Sequence, residues 1–245
     1  MRTRNSHASR SSALGYGQVT SSLLLIFPLF LAYEIGLLLT PAKSGVDFLS
    51  RRLFEALGRD SSAYLNLHLA LGAAYLLLLT ILWRRNSLFL RGVGTMLLES
   101  SIYALTLGSF IIFVMDGLVG LEIMALGYPR LSMWSPELGN ALVISLGAGV
   151  HEELIFRLGM MGASGFILIR LGVSRSLAIV CAAVLSSALF AMAHHVGVNG
   201  DAFDMSLLVY RGIAGLAFAA IFYYRSLAHA VYCHFLYDFY VMALA

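Results

Sequence analysis

His151-Glu152-Glu153-Leu154-Ile155-Phe156-Arg157 lies inside an apolar run that starts near Leu138 and extends toward Arg170. A carboxylate at the centre of a bilayer costs roughly 2.5–3.5 kcal/mol even on lenient insertion scales. Two in succession therefore point to a function. Two later stretches answer them: Phe190-Ala191-Met192-Ala193-His194-His195 and His234-Phe235-Leu236-Tyr237-Asp238. The three segments are expected to converge on a hydrolytic site within the membrane.

Composition sets the solvent. The chain has 245 residues, 60% of them hydrophobic and only 12% charged, with a mean hydropathy of +0.84. Soluble domains carry about 25% charged and about 45–50% apolar residues. Apolar windows of about 20 residues recur, the length of a membrane helix, whereas barrel strands would run about 10 with strict alternation. The expected fold is all-α: a polytopic membrane helix bundle of about seven transmembrane helices (about six to eight), plus one interfacial amphipathic helix. The net charge of +3 is small and the basic residues sit at segment ends, so the partner is the lipid bilayer and no nucleic acid is expected. Cys181 and Cys233 both fall inside spans, without CxxC or Cys/His zinc spacing, and read as buried small apolar residues.

Three parts follow along the chain. Residues 1–20, with Arg2, Arg4 and Arg10 among serines, read as a disordered basic cytoplasmic tail. Residues 21–137 hold the N-terminal transmembrane helices: a first span from Leu23 to Leu39, a second over 62–83 and a third over 93–115, then a loop over 116–137. Within this part Val46, Leu49, Leu53 and Leu57 recur at helical spacing opposite Asp47, Arg51, Arg52 and Glu55, which predicts an amphipathic helix over 46–58 in the interface. Residues 138–245 form the catalytic core. Its first helix carries the acidic pair and runs tilted or broken at Gly159, Gly162 and Gly165; spans over 175–196, 205–224 and from Arg225 onward follow.

Helical spacing then assigns faces. Glu153 and Arg157 are four apart and pair. Glu152 is turned by about 100° and is left near water as a candidate proton acceptor. Phe190 shares a face with His194, and His234 with Asp238, which would fix the tautomer of His234. His151, His195 and His229 read as packing or supporting groups. Glu34 and His68 lie at matching depths in the first two spans and are expected to pair, whereas Glu99 has no evident partner.

In order, Glu152-Glu153-xxx-Arg157, Phe190-xxx-His194 and His234-xxx-Asp238 resemble the CAAX prenyl protease and bacteriocin-processing family of intramembrane proteases. The resemblance covers residues 138–245, including Gly212 and Gly215 and the Tyr224-Arg225-Ser226-Leu227 stretch. Two departures stand out. Leu158 replaces the glycine that often follows the arginine, and Asp238 stands where many members have asparagine. The resemblance implies hydrolysis of a peptide bond. Glu152 would activate water with help from His194, His234 and Asp238 would polarise the scissile carbonyl, and Glu153, Arg157 and Phe190 would support them. It implies no cofactor. The alternative is Zn²⁺ held by Glu152, His194 and His234, without an HExxH signature to support it.

Lysine and arginine placement favours a plasma or inner membrane location with a cytoplasmic N-terminus. His194 lies 19 residues beyond Arg175, about 28 Å at about 1.5 Å per residue, near the outer face. Glu152 meets it only if its helix reaches Arg170. An outward opening suits exported or membrane-anchored polypeptides better than cytosolic prenylated proteins. Two other functions are weighed: a non-catalytic membrane scaffold or bacteriocin-immunity protein, and a proton-coupled transporter. The complete set Glu152/His194/His234/Asp238 disfavours the first, and the lack of an inverted repeat the second.

Overall fold

The computed structural model describes residues 16–40, 49–85, 92–119, 136–196 and 200–244. Their regular elements are all helical. They are α1 (Tyr16–Leu39), α2 (Leu49–Ala56), α3 (Ser61–Arg84), α4 (Val93–Val114) with a π-helical extension (Met115–Val119), and α5 (Pro136–Gly147). A π-helix (Ala148–Met161) joins α5 to α6 (Gly162–Arg170), and α7 (Arg175–Ala193), α8 (Met205–Tyr224) and α9 (Leu227–Leu244) complete the bundle. Helices α1, α3, α4, α7 and α8 contain segments long and apolar enough to cross a membrane. The remaining long segments, residues 136–170 and α9, carry the polar clusters. The protein is thus a multi-pass integral membrane bundle.

Boundaries differ from expectation where local chemistry overrides hydropathy. Helix α1 begins at Tyr16, so residues 16–20 are helical rather than tail; residues 1–15 lie outside the described residues. The interfacial helix is described over Leu49–Ala56, and Val46 and Asp47 lie outside. Residues 115–119 extend the third span instead of opening a loop. Of that loop, 120–135 is not described, and Pro136 already starts α5. The span expected over 175–196 ends at Ala193 with His194 as its cap. Asp60 and Asp204 cap α3 and α8, accepting from the backbone N–H of Ser62 at 2.8 Å and of Leu207 at 2.9 Å.

Helix α9 is the axis of the bundle, packing against α4, the π-helix, α5, α8 and α1. Ala228, Ala230, Val231 and Cys233 are fully buried along it. Helix α3 packs along α1 and leaves most of its apolar length exposed, as lipid-facing helices do. Cys181 is exposed rather than buried, because its side of α7 faces outward in a solvent where an apolar surface carries no penalty.

The glycines of the fourth span do not break it. The chain stays helical from 136 to 170 and widens to π geometry instead. The close approach lies earlier: a Cβ on Gly149 would stand 2.8 Å from the Phe235 backbone N and 3.0 Å from its Cα. Only a residue without a side chain lets the π-helix touch α9 there. Gly149→Ala is expected to cost about 1–3 kcal/mol, as overpacking does, read as a lower melting temperature of the purified protein.

Candidate active site

Glu152 and Glu153 both lie on the π-helix, and both are buried. A π-helix closes i→i+5 bonds, so its turn holds more residues than an α-helical turn. Neighbouring side chains therefore diverge by less than in an α-helix. Glu153 pairs with Arg157, as helical spacing predicts, and the two carboxylates also reach the same histidine. His234 Nδ1 lies 2.9 Å from Glu153 Oε1, and His234 Nε2 lies 3.8 Å from Glu152 Oε2.

Glu153 also holds Arg157. Arg157 Nε donates to Glu153 Oε2 at 3.1 Å, with both side chains fully buried. The guanidinium donates from NH1 to Ser186 Oγ at 3.4 Å and lies over the Phe190 ring, 5.0 Å from its centroid. Glu153 is thus the junction of the site: one oxygen takes the His234 proton and the other the arginine.

Helix α7 supplies His194 at its C-terminal end. His194 Nδ1 faces the Phe190 carbonyl at 2.8 Å. A carbonyl only accepts, so Nδ1 carries the proton and Nε2 presents its lone pair. That Nε2 is 3.7 Å from Glu152 Oε2. Helix α9 adds Asp238, whose Oδ2 lies 3.4 Å from His234 Nε2. Asp238 thus faces His234 Nε2 while Glu153 takes Nδ1, so both carboxylates bear on the His234 tautomer. Glu152 Oε2 thus stands between two imidazole nitrogens, too far from each for a direct hydrogen bond and at a separation one water bridges.

Aromatic rings hold the imidazoles. Phe190 contacts Phe156, His194 and His234 edge-on, with centroids at 5.5, 5.0 and 5.8 Å. Phe218 of α8 stacks on His234 at 4.3 Å and 16°. Helices α7 and α8 come this close because Gly215 packs on Ser187, where a Cβ would meet the Ser187 Cβ at 3.0 Å. Phe218 and Ser186 were not singled out by the sequence reading. Nothing distinguishes a site phenylalanine or serine from other apolar-span residues until the partner ring or guanidinium is placed beside it.

The remaining polar groups lie elsewhere. His151 is buried against Phe30 and Tyr33, with Nδ1 3.0 Å from the Gly147 carbonyl. His195 Nδ1 faces the carbonyls of Asp201 and Ala202 at 3.3 and 3.2 Å. His229 bonds Ser226 at 2.8 Å. Glu99, expected to lack a partner, pairs with Arg225 and lies 3.6 Å from His229; its partners sit 126 and 130 residues later, beyond any local spacing rule. Glu34 and His68 do approach, at 3.6 Å. Glu34 also accepts from Tyr64 and, at 2.6 Å, from Ser50, which ties α2 to α1 and α3.

The zinc alternative can be tested on geometry. Tetrahedral zinc with bonds of about 2.0–2.1 Å sets its ligand atoms about 3.4 Å apart. Glu152 Oε2 lies 3.7 and 3.8 Å from the two Nε2 atoms, wider than that. Among the described residues no group of three or more His, Cys, Asp or Glu is arranged to hold a metal ion.

Residues 134–240 match the family model described as type II CAAX prenyl endopeptidase Rce1-like. The resemblance read from the three motifs holds over this region, and with it an intramembrane endopeptidase at the level of the family. No curated protein and no solved structure matches the chain.

Proposed function

We propose, from the type II CAAX prenyl endopeptidase match of residues 134–240, that the protein hydrolyses a peptide bond of a membrane-associated or exported polypeptide with water activated by Glu152. The observation that carries this reading is Glu152 Oε2 standing 3.7 Å from His194 Nε2 and 3.8 Å from His234 Nε2. A water there meets a proton acceptor and two imidazoles at once, and the surrounding rings keep other water out.

Glu152 takes one proton from the water. The oxygen attacks the scissile carbonyl carbon, and the carbonyl π pair moves onto oxygen. His194, with its Nε2 lone pair, helps orient the water. His234 polarises the carbonyl from Nε2, with Asp238 beside it and Glu153 holding Nδ1. Collapse of the tetrahedral intermediate breaks the C–N bond, and Glu152 returns its proton to the leaving amine. Arg157, Glu153 and Phe190 hold the geometry. We place this catalytic unit in residues 138–245 and treat 21–137 as accessory membrane helices. We also take the N-terminus as cytoplasmic, in a plasma or inner membrane, with the site opening outward.

The test compares membranes of cells producing wild type or Glu152→Gln at equal levels, with newly formed polypeptide termini identified by mass spectrometry. Termini present only with wild type are expected. Their absence would favour a scaffold or immunity-type protein on the same fold. Chelation separates the two hydrolytic mechanisms. Treatment with 1,10-phenanthroline is expected to leave cleavage unchanged; loss of activity restored by added zinc would assign Glu152, His194 and His234 as ligands instead, with the metal acidifying the water.

A further inference from the structure

The hydrolytic reading leaves the developing oxyanion short of donors. The Nδ1–H of His234 is committed to Glu153 at 2.9 Å. Its Nε2 is the only other donor position on that ring, and Asp238 Oδ2 lies 3.4 Å from it. An ionised carboxylate only accepts hydrogen bonds. Asp238 therefore competes with the oxyanion for the Nε2 proton, and its charge opposes the charge that forms there.

Two buried guanidinium N–H groups lack a hydrogen-bond partner among the described residues: Arg157 NH2, on an arginine already held by Glu153 and Ser186, and Arg211 NH1. Arg211, in the first turns of α8, pairs through NH2 with Asp201. Its NH1 is buried and has no hydrogen-bond partner among the described residues. Two observations place it by the site. The Asp201 backbone N–H donates to the His194 carbonyl at 2.9 Å, so Asp201 links the guanidinium to the end of α7. The hydroxyls of Tyr210 and Tyr237 touch, which sets their chain neighbours Arg211 and Asp238 at one level of α8 and α9.

We propose that Arg211 is a further catalytic residue, donating from NH1 to the oxyanion of the tetrahedral intermediate and offsetting the charge of Asp238. This rests on the hydrolytic reading above. Asp201 holds the planar fork by one arm and leaves the other for the reacting oxygen. A guanidinium suits this position because it stays charged when buried and presents donors in fixed directions.

The experiment uses the purified full chain in nanodiscs and a fluorophore–quencher peptide built on a cleavage site identified from the wild-type-only termini above. Arg211→Gln is expected to lower kcat about 10²-fold or more with little change in KM, the signature of a donor used only in the transition state. Arg211→Lys, which keeps the charge without the fork, should fall between and carries the test if Arg211→Gln is not recovered folded. The decisive variant is Arg211→Gln/Asp238→Asn. Asparagine removes the opposing charge and adds an N–H donor, so the double variant should recover about tenfold or more over Arg211→Gln alone, a strong departure from additivity. A merely structural Arg211 would show no such rescue. An active wild type with an unimpaired Arg211→Gln, a loss confined to KM, or additive effects in the double variant overturns the assignment alone. A wild type that leaves the peptide intact counts against the hydrolytic reading and this inference with it.

Discussion

Glu152→Gln should abolish hydrolysis, lowering kcat by at least about 10³-fold, within the range of a lost general base, while the bundle keeps its melting temperature. Glutamine has the volume and the oxygen of glutamate but cannot take the proton of water. Glu152 Oε2 makes no hydrogen bond to another described side chain, so the substitution breaks no hydrogen bond at that oxygen. The comparison that matters is with Glu152→Ala, which also opens a gap between the two imidazoles: both should be inactive, and only the alanine variant should lose stability. Purified Glu152→Gln that cleaves at the wild-type rate would show that another group activates the water.

The second large effect is on stability. Arg157→Met should destabilise the protein by about 3–5 kcal/mol, the cost of breaking a buried ion pair from one side. Total stabilities are about 5–15 kcal/mol, so much of the variant should fail to accumulate. The cause is Glu153, fully buried and left without the guanidinium, with only His234 beside its charge. Arg157→Met/Glu153→Gln should recover most of the loss, because no unpaired charge remains and the glutamine oxygen can still accept from His234 Nδ1. Thermal unfolding of the three proteins, followed by tryptophan fluorescence, gives the comparison. Equal destabilisation of the single and double variants would mean that the pair matters through packing alone.

Much of the fold was readable from hydropathy because membrane spans obey a simple constraint: backbone polar groups must be satisfied within the helix. The second span, expected over 62–83, is Ser61–Arg84, and the sixth, expected over 205–224, is Met205–Tyr224. The boundaries that moved are at caps and π-turns, where hydropathy carries no information. The candidate site was legible as a set of residues. Glu152, His194, His234 and Asp238 converge, and Glu153 pairs with Arg157. That Glu153 as well as Glu152 faces His234 was not legible, because the expectation assumed α-helical turns through the acidic pair.

The stretch His151–Arg157 shows where the division falls. Its sequence alone determined that the acids need partners, since two carboxylates in hydrocarbon cost too much to stand unpaired, and that Arg157 pairs with one of them at i+4 spacing. Tertiary structure decided which oxygen meets which nitrogen. The π-helix changes the angle between Glu152 and Glu153, and Gly149 lets that helix reach α9, so both acids reach His234. The π-helix packs against α7 and α9, whose residues lie far away in the chain. Local spacing constrains a face; only the packing of several helices sets the last few ångströms between proton donor and acceptor.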